Sequence, residues 1–186
     1  MKKSNTNLIK FKREFSAGCV VFKRESKGVE VKFLLGKHSG YHKWVLPKGL
    51  IEKGERGWQT AVRETEEEMG VKARLLDEKP LHQAKYVYMA DFKDLETQTP
   101  NQAQSTRRVM VYQEQGGSKI RVFKTVSFYL AEYQSGKSKD HGWEMSEAGW
   151  YGYKKAFKML AFKAEKQALQ KAKEKIREIE KQQTLI

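Results

Sequence analysis

The chain contains a single cysteine and no long apolar run, and each shortage excludes a class of protein. Its single cysteine, Cys19, excludes an internal disulfide and favours a reducing compartment. No run approaches the roughly 18 apolar residues that a membrane span needs, and the N-terminus lacks the apolar core of a secretory signal. We therefore expect a cytoplasmic protein in which Cys19, within the apolar run 17–22, is a buried structural thiol.

Positive charge is what the chain has in excess. Among its 186 residues, 37 are Lys or Arg and 23 are Asp or Glu, which gives a net charge of +14. The length fits one domain with an appended element, and a hydrophobic content of 39% suffices for a core. A surplus of this size attracts anions. Nucleotides, inositol phosphates, RNA and anionic lipid headgroups all remain open as partners, and no oligomeric state is predicted.

The most informative segment spans residues 49–71 and reads GLIEKGERGWQTAVRETEEEMGV. A glycine-punctuated loop leads into a helix predicted over residues 57–69, with Gly70 as a left-handed C-cap. The glutamates alone are also typical of a solvated helical face. The preceding loop, with Pro47 and several glycines, favours a functional site, because a solvated helix does not require it.

Three glutamates of this helix are predicted to share one face. Residues three and four apart in a helix are neighbours, so Glu64 lies beside both Glu67 and Glu68, while Glu66 points elsewhere. A cation between the three carboxylates would relieve their mutual repulsion. Oxygen ligands suit a hard ion, so we expect Mg2+, with Mn2+ as a substitute.

The segment resembles the Nudix box, G-x5-E-x7-R-E-U-x-E-E-x-G-U, where U is a bulky apolar residue. The matching residues are Gly49, Glu55, Arg63, Glu64, Glu67, Glu68, Gly70 and Val71. Thr65 stands where an apolar residue is expected, and its methyl group can pack there. The chain is thus identified as a member of the Nudix hydrolase (MutT-like) family. The resemblance implies an α/β fold: an α/β/α sandwich with a mixed sheet, a loop-helix-loop metal site and a long C-terminal helix.

The hydrophobic pattern predicts where the other elements lie. The predicted strands are Phe15–Lys23, Val29–Lys37, Leu81–Ala90, Arg107–Gln113 and Ile120–Tyr133, with turns at Arg24–Gly28 and Gly116-Gly117, a surface loop at Asp91–Thr106 and a final helix at Lys154–Gln182. We expect a basic extension over residues 1–13, a Nudix domain over 14–169 and a charged helix end over 170–186. Beyond Leu169 that helix should project or contact a partner.

The box implies a role for each of its charged residues. Glu64, Glu67 and Glu68 would hold the metal ion, with Gly49 at the same site, and with Arg63 they form the predicted catalytic set. Arg63 would orient the glutamates through charge-assisted hydrogen bonds. The structural box residues are Glu55, which would brace the loop or lie in the outer metal shell, and Gly70.

Resemblance beyond the box is to asymmetric dinucleoside tetraphosphate hydrolases. The matching runs are FSAG at 15–18, WVLPKG at 44–49 and KTVSFYLAE at 124–132. By this resemblance Lys124 binds the polyphosphate chain, Lys48 contacts it or holds the loop, and Glu144 supplies a further metal-site carboxylate. Glu144 keeps the spacing to Trp150, although Met145 replaces a histidine of that branch. For stacking on a purine the chain offers His42, Tyr86 and Tyr129, besides Tyr41 and Tyr88.

These observations predict Mg2+-dependent hydrolysis of a phosphoanhydride in a nucleoside polyphosphate, with a dinucleoside tetraphosphate as the leading substrate. Diphosphoinositol polyphosphates or the 5′ triphosphate end of RNA form a second enzyme hypothesis, which the net charge of +14 favours. A Nudix module that binds nucleotide or RNA without catalysis is the alternative of another class. The lysine-rich helix end is compatible with additional RNA binding and equally with a solvated helix.

Overall fold

A computed structural model describes residues 11–25, 30–91 and 119–184. The strands are β1 (Phe11–Arg24), β2 (Val31–His38), β3 (Trp44–Val45), β4 (Lys48–Leu50), β5 (Val71–Leu75), β6 (His82–Asp91), β7 (Lys119–Gly136) and β8 (Met145–Gly152). The helices are α1 (Gly57–Met69), α2 (Tyr153–Met159) and α3 (Lys163–Thr184), with a 3-10 turn at Ser138–Asp140. This composition confirms the α/β class.

The chain divides into two compact units. The smaller consists of residues 1–14 and 85–125, and the larger of residues 15–84 and 126–186. Within the smaller unit, the Tyr88 hydroxyl donates to Glu14 over 3.0 Å, and the Phe11 and Phe123 rings pack edge to face with centroids 6.3 Å apart. The two cores and the candidate site described below belong to the larger unit.

The strands form one open sheet in the order β3-β2-β1-β7-β5, with β4 on β1, β6 on β7 and β8 on β2. Neighbouring strands are antiparallel at β1-β2, β1-β4, β2-β3, β2-β8 and β5-β7. The register places Phe22 opposite Phe33 and Leu34 opposite Trp150. Apolar residues therefore meet across the centre of the sheet, where both of its faces are covered.

Alternate residues of β1 enter two different cores. Val20 and Phe22 pack with residues of α2 and α3, whereas Cys19 and Val21 pack with Ala61 and Met69 of α1. Side chains of a strand alternate between faces, so this division places helices on both sides of the sheet. The predicted sandwich is thereby confirmed. The Cys19 thiol is fully buried, as predicted, and its burial raises its pKa to about 12.

Helix α1 spans the residues predicted for it. Gly70 ends it in the left-handed conformation, with φ 66°, and its amide donates to Glu66 O over 2.9 Å. Thr65 is fully buried on the sheet-facing side. Its hydroxyl donates to Ala61 O over 2.8 Å. The hydroxyl group that stands where an apolar side chain was expected therefore has a hydrogen-bond partner, so Thr65 can be buried there.

The prediction of one continuous C-terminal helix is wrong. The chain breaks between α2 and α3, where Ala161 N donates to Trp44 O over 3.1 Å and Leu160 pairs with Trp44. This tertiary hydrogen bond replaces a helical one. The expectation that the chain projects beyond Leu169 is also wrong as far as Ile176, because Ala172 and Ile176 lie in the core.

Several predicted features lie outside the described residues. They are nearly all of the 1–13 extension, most of the turn at 24–28, nearly all of the loop at 91–106, the strand at 107–113 and the turn at 116–117. Strands β3, β4, β5 and β8 were not predicted. The first three have five residues or fewer, and β8, which reads MSEAGWYG, lacks a clear apolar alternation. Among the described helices, none is long and apolar enough to cross a membrane.

Two glycines with positive φ give a test of the α1 C-cap. At Gly70 a Cβ would lie 2.6 Å from Asp140 O, whereas at Gly54, with φ 91°, nothing lies within 4 Å. We expect Gly70→Ala to lower the free energy of unfolding by about 2–4 kcal/mol and Gly54→Ala by only about 1 kcal/mol. Urea denaturation of both variants measures the difference. Equal losses would show that the contact with Asp140 is not a constraint.

Candidate active site

The loop that leads to α1 is fixed by pairing with β1. Gly49 lies opposite Ala17 and Lys48 opposite Gly18. A Cβ at Gly18 would collide with the Pro47 carbonyl oxygen, which shows how closely the two backbones approach. The start of the loop therefore has a defined position relative to the sheet. From it the chain continues through the exposed residues 52–54 into α1.

Arg63 and Glu55 hold this loop to the helix. Arg63 Nε and Nη2 donate to the two Glu55 oxygens over 2.8 and 3.0 Å. The same carboxylate accepts from Thr60 Oγ1 at 2.6 Å and from Glu52 N at 3.2 Å. The Arg63 bonds, with the Thr60 and Glu52 bonds, lower the pKa of Glu55 to about 2. Glu55 thus has its oxygens occupied by protein donors, as a bracing residue would.

The remaining guanidinium nitrogen of Arg63 contacts the acidic face. Arg63 Nη1 donates over 2.9 Å to Glu64 Oε1 and over 2.9 Å to Glu67 Oε2. Glu67 is exposed, with 59% of its side chain accessible, whereas Glu64 is 14% accessible. One cation therefore offsets the repulsion between two neighbouring carboxylates. Glu66 points away and pairs with Lys72 over 3.3 Å, as the helical spacing predicts.

Glu64 is held against Gly49. A Cβ at position 49 would collide with the Glu64 carboxylate, so a glycine is required for this approach. Burial raises the pKa of Glu64, and the charges of Glu67 and Glu144 raise it further, against the opposing effect of Arg63. Gly49 therefore brings the loop backbone to the acidic face.

Glu68 is the most buried acid of the box, with 5% of its surface exposed. Its Oε2 accepts the Lys48 backbone amide over 2.8 Å. Burial raises its pKa to about 8, although Lys48 opposes the shift and Glu64 and Glu144 add to it. The three box glutamates are therefore not equivalent. Glu67 faces solvent, Glu64 is half-buried between them, and Glu68 points toward the sheet.

Glu144 and Lys48 belong to the same electrostatic cluster. Glu144, which precedes β8, lies near enough to raise the pKa of both Glu64 and Glu68. Burial lowers the pKa of the Lys48 ammonium, but Tyr41, Glu165, Glu68 and Glu144 together hold it above its usual range. The fold thus gathers the predicted Lys48 and Glu144 with the box. Trp150 packs edge to face on Tyr133, with centroids 5.3 Å apart.

Glu165 is a member of this cluster that the sequence reading missed. It lies in the first turn of α3, is 1% exposed and accepts a hydrogen bond from the Leu46 backbone. Burial raises its pKa to about 7, against the opposing charge of Lys48. Its Oε2 has no hydrogen-bond partner within the described chain. The sequence feature that could have revealed it is an acidic residue within the apolar stripe formed by Ala164, Ala168 and Leu169.

The other predicted binding residues have different surroundings. His42 is exposed in the turn before β3, with φ 54°. Tyr129 is only 6% exposed, and a Cβ at Gly57 would lie 2.6 Å from its hydroxyl, so its ring lies beneath the start of α1. Lys124, half-buried on β7, and Tyr86, exposed on β6, belong to the smaller unit.

An aromatic group lies beside Lys48. Tyr41 is 40% exposed and stacks on His38 with ring centroids 3.9 Å apart. Phe162, which is 43% exposed, meets Tyr41 edge to face at 6.2 Å. Because Tyr41 and Lys48 influence each other's pKa, this group adjoins the acidic cluster. Accessible rings next to a cation can bind a flat, anionic molecule.

The donor set suits a divalent cation. Among the described residues, no three acidic, histidine or cysteine side chains are positioned to hold an ion as they stand. Protein donors contact Glu64 and Glu68 in this arrangement. The chemistry is nevertheless appropriate, since Glu64, Glu68 and Glu144 are neighbouring carboxylates and two have raised pKa values. A hard cation would offset both the burial and the repulsion of these oxygens.

Known proteins are similar to this chain in sequence and fold. The asymmetrical bis(5′-nucleosyl)-tetraphosphatase of Sus scrofa is 41% identical over 63 residues, which are 31% of this chain and 43% of that protein. The chain spans half or less of the length of the curated relatives it matches. A Caenorhabditis elegans Ap4A hydrolase in a binary complex has a TM-score of 0.54 at 21% identity, covering 88% of this chain and 98% of that one.

The same fold occurs in the NUDIX domain of Shewanella oneidensis NrtR complexed with ADP ribose. The TM-score is 0.55 at 18% identity, and the match covers 94% of each chain. The family model described as the NUDIX domain matches residues 12–172, which contain nearly all of β1, every element from β2 to α2 and the first ten residues of α3. With the box residues gathered as shown above, the chain belongs to the NUDIX domain family.

Proposed function

We propose that the chain is a Mg2+-dependent pyrophosphohydrolase that splits a phosphoanhydride bond of a nucleoside polyphosphate, with a dinucleoside tetraphosphate as the favoured substrate. The observation that carries the proposal is the desolvated pair Glu64 and Glu68 beside Glu144 and the Lys48 ammonium. Such a site offers anionic ligands to a metal and a cation to a phosphate chain. Similarity to asymmetrical bis(5′-nucleosyl)-tetraphosphatases supports the choice of substrate.

The metal ligands would be Glu64, Glu67 and Glu68, with Glu144 and the Gly49 backbone at the same site. When bound, Mg2+, or Mn2+ in its place, would neutralise phosphate oxygens and make water a better nucleophile. Arg63 contacts two of the glutamates and is itself braced by Glu55, so its role would be to keep their carboxylates in place. The carboxylates and the guanidinium would therefore be in position before the substrate binds.

Lys48 would bind the polyphosphate chain. Its backbone amide bonds to Glu68, so the start of its side chain has a fixed position beside the metal site. The buried Glu165 helps to raise the pKa of that ammonium, and we propose that it holds the ammonium in place as a positioning residue. Lys124 stays a predicted phosphate ligand, on the sequence resemblance alone.

A base of the substrate would stack on the exposed Tyr41 ring. Its contacts with His38 and Phe162 keep that ring in place, and it adjoins Lys48. His42 precedes the catalytic loop in the same turn and is proposed to contact the substrate as well. Tyr86 remains a predicted ligand. The Tyr129 ring is buried, so this residue could contact a substrate only through its hydroxyl group, which lies beside Gly57.

Glutamine substitutions test the role of the acidic face. We expect Glu67→Gln and Glu68→Gln each to reduce kcat on diadenosine tetraphosphate by at least about 100-fold, because each removes a charge that the metal-bound transition state requires. Glu66→Gln is the matched control, because Glu66 lies on the same helix, points away from the other three glutamates and pairs with Lys72. It should retain wild-type turnover. Full activity in both Glu67→Gln and Glu68→Gln, with melting temperatures unchanged, would refute the mechanism.

A lysine pair tests the phosphate contact. We expect Lys48→Gln to raise KM about 10- to 100-fold, because a hydrogen bond to a charged group contributes about 1.5–3 kcal/mol. The backbone bond to Glu68 survives in this variant. Lys53→Gln removes the same charge from the exposed part of the loop and should change KM less than about 2-fold, since exposed charges are screened. Equal effects of the two substitutions would show that Lys48 acts only through general charge.

Glu165→Gln extends this test to the positioning residue. It keeps the side-chain shape while removing the carboxylate charge that interacts electrostatically with Lys48. If Glu165 orients the ammonium, KM should rise and kcat should stay within about 2-fold, whereas the double variant with Lys48→Gln should be no worse than Lys48→Gln alone. Additive losses in the double variant would contradict the positioning role.

A further inference from the structure

Helices α2 and α3 carry much of the excess positive charge. Over residues 153–184 there are ten lysines and arginines and four glutamates, one of which is the buried Glu165. None of these lysines and arginines is a residue of the proposed metal site. Charge of this density attracts a polyanion.

Three of these lysines lie over aromatic rings. Lys155 Nζ is 5.0 Å from the Tyr151 ring centroid, Lys166 Nζ is 5.4 Å from that of Phe157, and Lys173 Nζ is 3.9 Å from that of Tyr153. We call these six residues the lysine-aromatic face. Among the described residues, no carboxylate lies within ion-pair distance of the three lysines. Their charges therefore remain available to an anion.

The rings of the lysine-aromatic face are fixed from behind. Tyr151 packs edge to face on Trp44 with centroids 5.3 Å apart, and Tyr153 on Phe33 at 6.3 Å. All three rings are half-buried. The three lysine side chains lie over the outer faces of these rings, and such long side chains can change rotamer at a low free-energy cost. A phosphate that draws an ammonium aside would leave a ring face open to a base.

We propose that the lysine-aromatic face binds single-stranded nucleic acid. Lysines contact the phosphates and the rings stack on bases, the combination that single strands require. A membrane surface is disfavoured, because the rings are set into the core and do not protrude as an insertion would need. Lys166 and Lys173 are seven residues apart, so they share one side of α3 and can follow one strand.

Point substitutions test this proposal better than truncation. Removing residues 170–186 would delete Ala172 and Ile176 from the core and would unfold the helix. Lys166→Gln/Lys173→Gln removes two charges from the face while preserving helix propensity. Lys171→Gln/Lys175→Gln is the matched control. It removes two charges from the same helix, at positions that helical spacing places away from Lys166 and Lys173.

Fluorescence anisotropy with a labelled 12-nucleotide oligoadenylate measures binding to the full chain. We expect Lys166→Gln/Lys173→Gln to raise Kd at least about 10-fold and the control less than about 3-fold. The slope of log K against log salt should fall by about 1.4 in the first variant, the value for two lost single-strand phosphate contacts. An abasic oligomer of equal length should bind about 10-fold more weakly. Hydrolysis of a small nucleotide should be unchanged in both variants.

Three results would overturn the proposal. The first is no binding of the oligomer at low salt, and the second is an equal loss in both lysine pairs, which would show only general charge. The third is that an abasic oligomer, or phosphatidylserine vesicles, bind as tightly as oligoadenylate does. This result would show that the rings do not stack on bases. Matching thermal melts of the variants exclude unfolding as the cause of a loss.

Discussion

Arg63 makes the acidic helix compatible with a stable fold. Glutamates at 64, 67 and 68 repel one another, and the fold brings Glu144 beside two of them. Arg63 offsets this repulsion by contacting Glu64 and Glu67 at once, and Glu55 fixes the guanidinium with two further bonds. The Arg63-Glu55 pair also joins the loop to the helix, so one interaction both stabilises the site and sets its geometry. A bound metal ion would also offset the repulsion between these carboxylates, as Arg63 does.

The opposite side of the site depends on close backbone approach. Gly49 lets the loop reach Glu64, and the Lys48 amide reaches Glu68. Because β4 pairs with β1, these contacts are tied to the sheet and do not depend on loop conformation alone. The sheet, in turn, is held between α1 on one face and α2 and α3 on the other. Glu165 extends this connection to the C-terminal helix, which thereby reaches the site.

Much of this architecture could be predicted from local pattern. Helix α1 was predicted residue for residue, because apolar residues at helical spacing and a terminal glycine determine it. The break at Leu160 could not be predicted, since it results from a hydrogen bond to Trp44, 117 positions earlier than Ala161. Helical spacing grouped three glutamates, but the burial of Glu68 depends on the loop packed above it. Glu165 was missed because it is one of several glutamates in a lysine-rich helix, and the sequence does not distinguish a buried glutamate from an exposed one there.

The central claim is that this cluster hydrolyses a phosphoanhydride of a nucleoside polyphosphate with a divalent metal. The most direct measurement incubates the full chain and Mg2+ with diadenosine tetraphosphate, a diphosphoinositol polyphosphate, ADP-ribose and 5′-triphosphorylated RNA, resolving products by phosphate position in 18O-water. The account predicts asymmetric cleavage of the dinucleotide to ATP and AMP, with 18O in a single product and no turnover after chelation. Preferential cleavage of a non-nucleotide substrate, or turnover that survives chelation, would contradict it.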